Sequence, residues 1–295
     1  MTDGPFTDTL PTEDFTLSLP DGRQLAWAEY GTADGSAVIY FHGAPGSRRE
    51  CLPTTTLAAV LGLRIIVPDR PGYGGSSPRP GRSVADFADD VAALLDHLEL
   101  KQAGAAGFSG GGPHALACAL RLPDRIDRLG LVSSLAPFSD ATTQGMPESL
   151  QGFWQLAATD ADAFRATLND GLKATGGPYE LLLAGAPPED QAIFSNGMTE
   201  AYADSLTEGI RPGLEGMVSD GQALTADWGF TLKAPHCPTH LWHGTQDLNA
   251  PIGMGRWLAG HLGGATLTEW PGMGHFALLQ QWDQILDAFA EPTTP

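Results

Sequence analysis

The chain has 295 residues, a length that fits one large α/β domain with an insertion or two small domains. Its 35 acidic and 16 basic residues give a net charge of -19 at pH 7, which would repel the phosphates of nucleic acids and the anionic face of a membrane. Nucleic-acid and membrane partners are therefore not expected. With 42% apolar and 17% charged residues, the chain is predicted to fold around a substantial core.

Cysteine usage and the chain ends bear on the cellular compartment. Cys51, Cys118 and Cys237 are widely spaced and include no CxxC pair, so we expect buried thiols. The acidic N-terminal segment lacks the basic and apolar regions of a secretion signal, and no run approaches 18 apolar residues. We therefore expect a soluble, cytoplasmic protein. Residues 1–14 and 291–295 are predicted to be loose, and the sequence allows a homo-oligomer without indicating one.

Eight short runs predict the β-strands of a sheet. The first two are joined around Asp21 and Gly22, a pair that adopts positive φ easily and suits a tight antiparallel hairpin. The other six are mostly apolar throughout, as strands buried on both faces are. The predicted strands are 15–19, 25–29, 38–41, 64–67, 103–108, 129–132, 239–242 and 265–270.

Helical patterns alternate with these strands. The clearest begins at Ser83, a predicted N-cap with Asp86 three residues later, and carries regularly spaced apolar side chains along one face. Further helices are predicted at 111–121 and 276–289. This alternation predicts an α/β fold with a mainly parallel, doubly wound sheet and right-handed crossovers.

Residues 138–234 break the alternation. They contain no convincing strand, and their aromatic and methionine side chains are spread through helical stretches punctuated by Gly and Pro. We predict that these residues form a helical cap, which is inserted between two strands of a core made of segments 15–137 and 235–290.

A serine motif lies where the predicted fifth strand passes into a helix. Residues 107–111 read GFSGG and match the G-x-S-x-G pattern of a nucleophile elbow, with Ser109 at its centre. At such a sharp turn the serine has a strained backbone, and Gly107 and Gly111 avoid collisions between strand and helix. In a glycine-rich chain the pattern alone is weak evidence, so the residues that accompany it decide its meaning.

A serine nucleophile needs a base and a group that orients the base. Asp247 lies in the loop after the predicted strand at 239–242, and His275 lies in the loop after the next strand. The chain order is therefore Ser, Asp, His. Asp140, which follows the preceding core strand, is an alternative acid.

The developing oxyanion needs donors as well. The loop FHGAPG at 41–46 follows a buried strand, and its glycines and proline shape it so that the amide of Ala44 is expected to face Ser109. The amide of Gly110 is the second predicted donor. Ala44 and Gly110 together are the predicted oxyanion hole.

Five segments together resemble the α/β-hydrolase fold superfamily, in particular members with an HG-x-PG oxyanion loop and a helical cap. The resemblance covers about residues 15–136 and 235–289. It implies Ser109 as nucleophile, His275 as base and Asp247 as the carboxylate that orients it, with the Ala44 and Gly110 amides as oxyanion hole. The five segments are HGAPG at 42–46, DRPGYGGS at 69–76, the serine elbow, HGTQD at 243–247 and GH at 274–275.

Other polar residues have simpler interpretations. His42 precedes the oxyanion-loop glycine, and the resemblance implies a loop-organising role for it. The spacing of His236, His240 and His243 would suit a metal on a helix, but a strand sends His240 and His243 to opposite faces. We expect no metal and, without a dinucleotide fingerprint, no cofactor. The Asp-Arg pair at 69–70 is expected to be structural.

Three functions are compatible with these residues. The leading one is a serine hydrolase that cleaves a small or medium, fairly apolar ester, lactone or thioester through an acyl-enzyme. The second is a proline iminopeptidase-like amidase, which would need carboxylates facing the pocket to bind a free amino terminus. The third is a lyase, cyclase or ligand receptor on the same fold. Candidate carboxylates for the second function are Glu180, Glu200, Asp204, Glu208 and Glu215, of which the middle three equally suit one solvated helix face.

Overall fold

The computed structural model describes residues 14–51, 54–194 and 199–290. The predicted loose ends lie outside these ranges, except for Asp14, which begins the first strand. Every predicted strand is present, with its ends shifted by three residues or fewer. The strands are β1 (Asp14–Ser18), β2 (Gln24–Gly31), β3 (Ser36–Phe41), β4 (Leu63–Pro68), β5 (Ala103–Phe108), β6 (Ile126–Val132), β7 (Thr239–Gly244) and β8 (Thr266–Trp270).

The eight strands form one sheet in the order β1-β2-β4-β3-β5-β6-β7-β8. The strand β2 runs antiparallel to both β1 and β4, and the remaining neighbours are parallel. The hairpin between β1 and β2 turns at Gly22, whose φ is 86°. The predicted α/β class with a mainly parallel sheet is confirmed.

Eleven helices are described in these ranges. They are α1 (Thr55–Val60), α2 (Phe87–His97), α3 (Gly112–Arg121), α4 (Glu148–Thr159), α5 (Ala161–Thr175), α6 (Pro178–Gly185), α7 (Pro188–Phe194), α8 (Thr199–Ile210), α9 (Glu215–Thr225), α10 (Ile252–His261) and α11 (Trp282–Ala290).

Two predicted helix boundaries are wrong. Ser83 does not cap α2, because its amide and hydroxyl both donate to Oδ2 of Asp86 in a turn that precedes the helix. The predicted helix 276–289 is a 3₁₀ segment, His275–Gln280, followed by α11. The break between the two lies at Gln281, whose φ of -125° and ψ of 21° are not helical.

Both faces of the sheet are covered, as a doubly wound fold requires. Along β3, Ile39 and Phe41 join the core that contains α2, α3 and α10, whereas Val38 and Tyr40 join the core that contains α1 and α11. This alternation follows the two-residue period of a strand. All four side chains are buried.

The helix α11 approaches the sheet closely because glycines lie beneath it. A Cβ on Gly104 of β5 would lie 2.6 Å from Cδ1 of Phe289, and a Cβ on Gly130 of β6 would lie 2.9 Å from Cζ of the same ring. The Phe289 ring therefore fills space that larger residues on these strands would occupy.

The helices α4 to α9 lie in the chain between β6 and β7, and we call them the insertion. In its described part, residues 138–234 contain no strand. The insertion has a small core of its own around Phe164, Leu168 and Val218. The exact limits of a cap domain at 138 and 234 stay a prediction.

Two further observations concern sequence-based expectations. Cys51 and Cys118 are buried as predicted, but Cys237 is only half-buried because it lies just before the start of β7. Within the described ranges, no helix combines the length and apolar character needed to cross a bilayer.

Candidate active site

Ser109 lies at a sharp turn between β5 and α3. The residue is part of a 3₁₀ turn, Ser109–Gly111, and has a φ of 52°, which is strained for a non-glycine residue. A Cβ on Gly107 would lie 2.5 Å from the carbonyl oxygen of Gly111, so the strand and helix could not close around a larger residue there. The predicted nucleophile elbow thus has its expected geometry, with the hydroxyl at the carboxyl end of the sheet.

The structure brings Ser109, His275 and Asp247 into one hydrogen-bonded chain. The Ser109 Oγ lies 3.0 Å from Nε2 of His275, and the His275 Nδ1 lies 2.8 Å from Oδ2 of Asp247. With the proton on Nδ1, the imidazole donates to Asp247 and accepts from the serine hydroxyl. The other oxygen of Asp247 accepts from the amides of Asn249 and Ala250, at 2.9 and 2.8 Å, which fixes the carboxylate.

The charges around His275 favour transfer of a proton to its imidazole. Burial disfavours an ionised Asp247, but the adjacent His275 and a hydrogen bond from His243 hold the pKa of Asp247 below its usual value. Burial lowers the pKa of His275, yet the negative Asp247, Asp190 and Glu50 raise it above 6.5 overall. An imidazole that gains a proton here is therefore stabilised as its cation.

The loop after β3 faces the serine elbow. A Cβ on Gly110 would lie 2.9 Å from the Cβ of Ala44 and 3.7 Å from its amide nitrogen, so the two predicted oxyanion donors are adjacent. Behind Ala44, the carboxylate of Glu50 accepts from the Gly43 amide at 3.0 and 3.1 Å and from the Tyr40 hydroxyl at 2.8 Å. Glu50 therefore holds the loop from its inner side.

His42 has the loop-organising position that the sequence analysis expected. Its Nε2 accepts from the amide of Arg70 at 3.2 Å, and its Nδ1 lies 2.8 Å from the carbonyl oxygen of Gly43. Burial and the nearby Arg70 keep the pKa of His42 well below 6.5. A neutral, fully engaged imidazole is not available to move a substrate proton.

Arg70 links this loop to the insertion. Its guanidinium donates to the carbonyl oxygens of His42 and Gly43 and, at 2.7 and 2.9 Å, to Oδ2 of Asp220 in α9. Its neighbour Asp69 binds the backbone and guanidinium of Arg48 and the Gly75 amide. The pair at 69–70 is thus structural, as expected.

A cavity of about 150 Å³ lies between the pair Ser109 and His275 and the insertion. Its walls are mainly apolar and aromatic, and Asn249, Tyr73 and Tyr202 add the polar groups near Ser109 and His275. No Asp or Glu belongs to the described residues that line it. The lining side chains from the insertion are Leu150, Phe153, Trp154, Phe164, Leu182, Tyr202 and Met217.

Several sequence candidates lie away from this site. Asp140, the alternative acid, is exposed, and the carboxylate that lies 2.8 Å from Nδ1 of His275 belongs to Asp247. His240 stacks on Trp242, whereas the ring of His243 faces the Ala250 carbonyl and Asp247. These two histidines therefore have separate partners.

The five carboxylates considered for amino-terminus recognition lie outside the cavity lining. Asp204 pairs with Arg49, Glu208 with Arg48 and Arg211, and Glu215 with Arg165. Glu180 and Glu200 are exposed.

Three buried acids near the site were not identified from the sequence: Glu50, Asp190 and Asp220. Glu50 lies five residues after Pro45 without a recognisable motif, and the other two come from the insertion. For Asp220, the burial of Arg70 in the structure is the signal, because a buried guanidinium needs an acidic partner. The position of that partner 150 residues later is a property of the tertiary fold.

The parallel sheet and the Ser-His-Asp chain define an enzyme class, and sequence comparison agrees with it. Residues 36–281 match the family described as alpha/beta hydrolase fold. The chain belongs to this family and is an α/β-hydrolase enzyme.

Relatives within the family have several activities. A non-heme chloroperoxidase from Streptomyces lividans is 28% identical over 92% of this chain and 96% of its own length. A pimeloyl-[acyl-carrier protein] methyl ester esterase from Chromobacterium violaceum is 31% identical over 76% of this chain and 81% of its own. The crystal structure of an enol-lactonase from Burkholderia xenovorans LB400 superposes with a TM-score of 0.68, 21% identity and coverage of 93% and 96%.

Proposed function

We propose that the protein is a serine hydrolase that cleaves small or medium, fairly apolar carboxylic esters, lactones or thioesters. The observation that carries this proposal is the hydrogen-bonded chain from Ser109 Oγ through His275 to Asp247, beside the amides of Ala44 and Gly110. It contains the nucleophile, base, orienting carboxylate and oxyanion donors that acyl transfer requires.

The reaction proceeds in two halves. Ser109 Oγ attacks the carbonyl carbon while its proton passes to Nε2 of His275, and the carbonyl oxygen becomes an oxyanion that the amides of Ala44 and Gly110 bind. The imidazolium then protonates the leaving oxygen or sulfur, and the acyl-enzyme forms. Water, deprotonated by His275, attacks this ester, and the proton returns to Ser109 Oγ as the acid leaves.

The cavity supports a modest acyl group. An apolar protein cavity of about 150 Å³ is large enough for benzene, and the cavity beside Ser109 has a similar volume. The names of the methyl ester esterase and the enol-lactonase among its relatives are consistent with an oxygen ester as the substrate. We expect short-chain and aromatic acyl groups to be preferred over long chains.

Recognition of a free amino terminus is less well supported. An ammonium group transferred from water into this cavity would need a nearby carboxylate, and the described lining residues include none. The proline iminopeptidase alternative therefore ranks second.

The lyase, cyclase or receptor alternatives do not require the complete Ser-His-Asp chain, so its presence does not favour them. The cytoplasmic location and the oligomeric state stay predictions.

The test compares wild type with Ser109→Ala on p-nitrophenyl acetate, butanoate and benzoate. We expect kcat/KM to fall by several orders of magnitude, about 10⁴-fold or more, and a fluorophosphonate probe to label wild type alone. Ser133→Ala is the matched control, because Ser133 also follows a strand with positive φ and its hydroxyl has no partner among the described residues. Near wild-type turnover by Ser109→Ala would refute the proposal.

The same panel separates the alternatives. Proline p-nitroanilide with a free amine, compared with its N-acetylated form, reports iminopeptidase activity. Mass spectrometry after brief incubation with each ester reports whether an acyl group is attached to Ser109. A protein that hydrolyses only the free-amine proline amide would make the second function the correct one.

A further inference from the structure

The insertion reaches the backbone of His275 through one carboxylate. Asp190, in α7, accepts a hydrogen bond from the amide of His275 at 3.1 Å and from the amide of Phe276 at 3.0 Å. These amides begin the 3₁₀ segment His275–Gln280, so they have no partner within the helix itself. Gly274 leaves room for the carboxylate, which a side chain at that position would displace.

Burial of the Asp190 carboxylate would destabilise the fold if no group compensated its charge. Its side chain is fully buried, and burial raises the pKa of Asp190, although the bonds from Phe276 and His275 and the nearby imidazole oppose this effect. Buried carboxylates destabilise a fold unless hydrogen bonds or a positive partner compensate. The groups that compensate Asp190 are the Phe276 amide and the amide and imidazole of His275, the predicted catalytic base.

The charged and titratable groups around His275 come from four elements. Asp247 follows β7, Glu50 follows β3, Asp190 belongs to α7, and the Tyr202 phenol belongs to α8. Burial and the nearby Glu50 and Asp190 raise the pKa of Tyr202 well above its usual value, so this phenol stays neutral. Asp190 is therefore the one member of this set that both bonds to the His275 backbone and adds negative charge near its ring.

We propose that Asp190 is a positioning residue for the catalytic base, and that through it the insertion controls both the orientation and the basicity of His275. This inference rests on the proposed serine hydrolase function. The backbone bonds fix the start of the segment that carries the imidazole. The charge favours the imidazolium that forms when the proton of Ser109 moves to Nε2 of His275, and Asp190 itself accepts no proton in the reaction.

Two substitutions remove different parts of this contact. Asp190→Ala removes both hydrogen bonds and the charge. The isosteric Asp190→Asn removes the charge and, because the His275 and Phe276 amides donate to different oxygens, only one of the two hydrogen bonds. The control is Asp204→Asn, which removes a carboxylate of the insertion that pairs with Arg49 and whose side chain is 40% exposed. It does not line the cavity.

The first readout is the dependence of kcat and KM on pH with p-nitrophenyl butanoate. For Asp190→Ala we expect kcat to fall about 10-fold to 100-fold, as expected for a misplaced catalytic group, with KM within about threefold. Asp190→Asn should retain more of kcat than Asp190→Ala. In both variants the acidic limb of kcat/KM should move to lower pH, because His275 loses a nearby negative charge. Asp204→Asn should match wild type.

The second readout does not depend on turnover. The titration of the His275 imidazole, followed by NMR in wild type and in folded Asp190→Asn, should show a lower pKa for the variant. If both the titration and the acidic limb are unchanged in Asp190→Asn, the inference is overturned. If wild type hydrolyses no ester but the His275 titration still shifts in Asp190→Asn, the proposed function fails while the link between Asp190 and His275 holds.

Discussion

Arg70 in the core and Asp220 in the insertion form a fully buried ion pair that also holds the loop at residues 41–46. Oδ2 of Asp220 lies 2.7 Å from one terminal nitrogen of Arg70, and the same guanidinium binds the carbonyl oxygens of His42 and Gly43. Arg82 binds the other oxygen of Asp220, and the Tyr73 hydroxyl donates to Oδ2 at 3.1 Å. One carboxylate from the insertion thus balances two buried cations of the core.

Removal of this charge should destabilise the protein strongly. In Asp220→Asn the guanidinium groups of Arg70 and Arg82 stay buried without their shared counter-charge, a change that typically costs about 3–5 kcal/mol. Urea unfolding of wild type and variant measures the loss. We also expect a lower kcat in the folded variant, because the loop that carries Ala44 loses the support of Arg70.

The matched control lies on the same helix. Glu215 of α9 pairs with Arg165, and both side chains are substantially exposed. Glu215→Gln should therefore change the free energy of unfolding by only about 1 kcal/mol or less. Equal losses in Asp220→Asn and Glu215→Gln would show that the buried pair has no special role.

Glu50 should make stability depend on pH in the neutral range. Burial raises its pKa from 4.5 to about 7, although the Tyr40 hydroxyl and the Gly43 amide favour the ionised form. Between these two pH values the unfolded chain has lost the proton and the folded chain keeps it, so this contribution to stability falls as pH rises. The total decrease is about 3 kcal/mol.

Glu50→Gln isolates this contribution, because the amide retains an acceptor for Gly43 and does not titrate. The difference in free energy of unfolding, wild type minus Glu50→Gln, should decrease from pH 4.5 to pH 7 and stay level above it. Urea unfolding at a series of pH values gives the curve. Parallel curves for the two proteins would contradict the prediction.

The pH dependence of turnover should follow His275. In the proposed mechanism the imidazole accepts the serine proton only when it is neutral. Although burial lowers the pKa of His275, Asp247 and its neighbours raise this pKa above 6.5. Activity is therefore lost as pH falls through that raised pKa. In Asp247→Asn we expect kcat to fall about 10⁴-fold and the remaining activity to reach its plateau at lower pH.

Asp140→Asn provides the comparison for Asp247→Asn, since Asp140 is the alternative acid suggested by the sequence and is exposed in the structure. Its kcat/KM profile should match wild type across pH 5 to 9. A large loss in Asp140→Asn with little change in Asp247→Asn would reassign the acid.

Met217 should set the preferred acyl length. It is half-buried in α9 and lines the cavity beside Ser109. Met217→Ala removes three side-chain atoms from the wall, and each additional methylene buried by the substrate contributes about 0.8 kcal/mol. The ratio of kcat/KM for p-nitrophenyl octanoate over butanoate should rise several-fold.

Leu183→Ala is the corresponding control, because Leu183 is also half-buried in the insertion and does not line this cavity. Its ratio of octanoate to butanoate should stay at the wild-type value. A similar rise in both variants would mean that general loosening of the insertion, and not the cavity wall, sets the preference.

The sheet and the proximity of Ser109, His275 and Asp247 were predictable because their signals are local. Each strand is a short apolar run between turn residues, and Ser109, Asp247 and His275 each follow such a run, so parallel strands carry them to the same edge. The confirmed fold class depends on these patterns alone. The predicted start of α2 at Ser83 failed because a capping sequence also suits the Asp86 turn that is found there.

The supporting acids could not be predicted in the same way. Asp190 and Asp220 belong to helices whose sequences show only amphipathic periodicity, and many other acids in the chain have the same local setting. Their importance comes from contacts 85 and 150 residues away, with His275 and Arg70 respectively. Contacts at such separation are determined by how the insertion docks on the sheet.

The contacts of Asp190 and Asp220 with the core limit which insertions from other hydrolases could replace the insertion of this protein. Transplanting the helices of another hydrolase onto this sheet would leave two amides at the histidine turn unbonded and two arginines uncompensated, even if the foreign helices covered the cavity well. A working chimera would have to bring both acids with the graft. The insertion therefore affects both the substrate range, through the cavity wall, and the support of the His275 turn and the 41–46 loop. Directed evolution of the cavity wall will have to preserve these two acids.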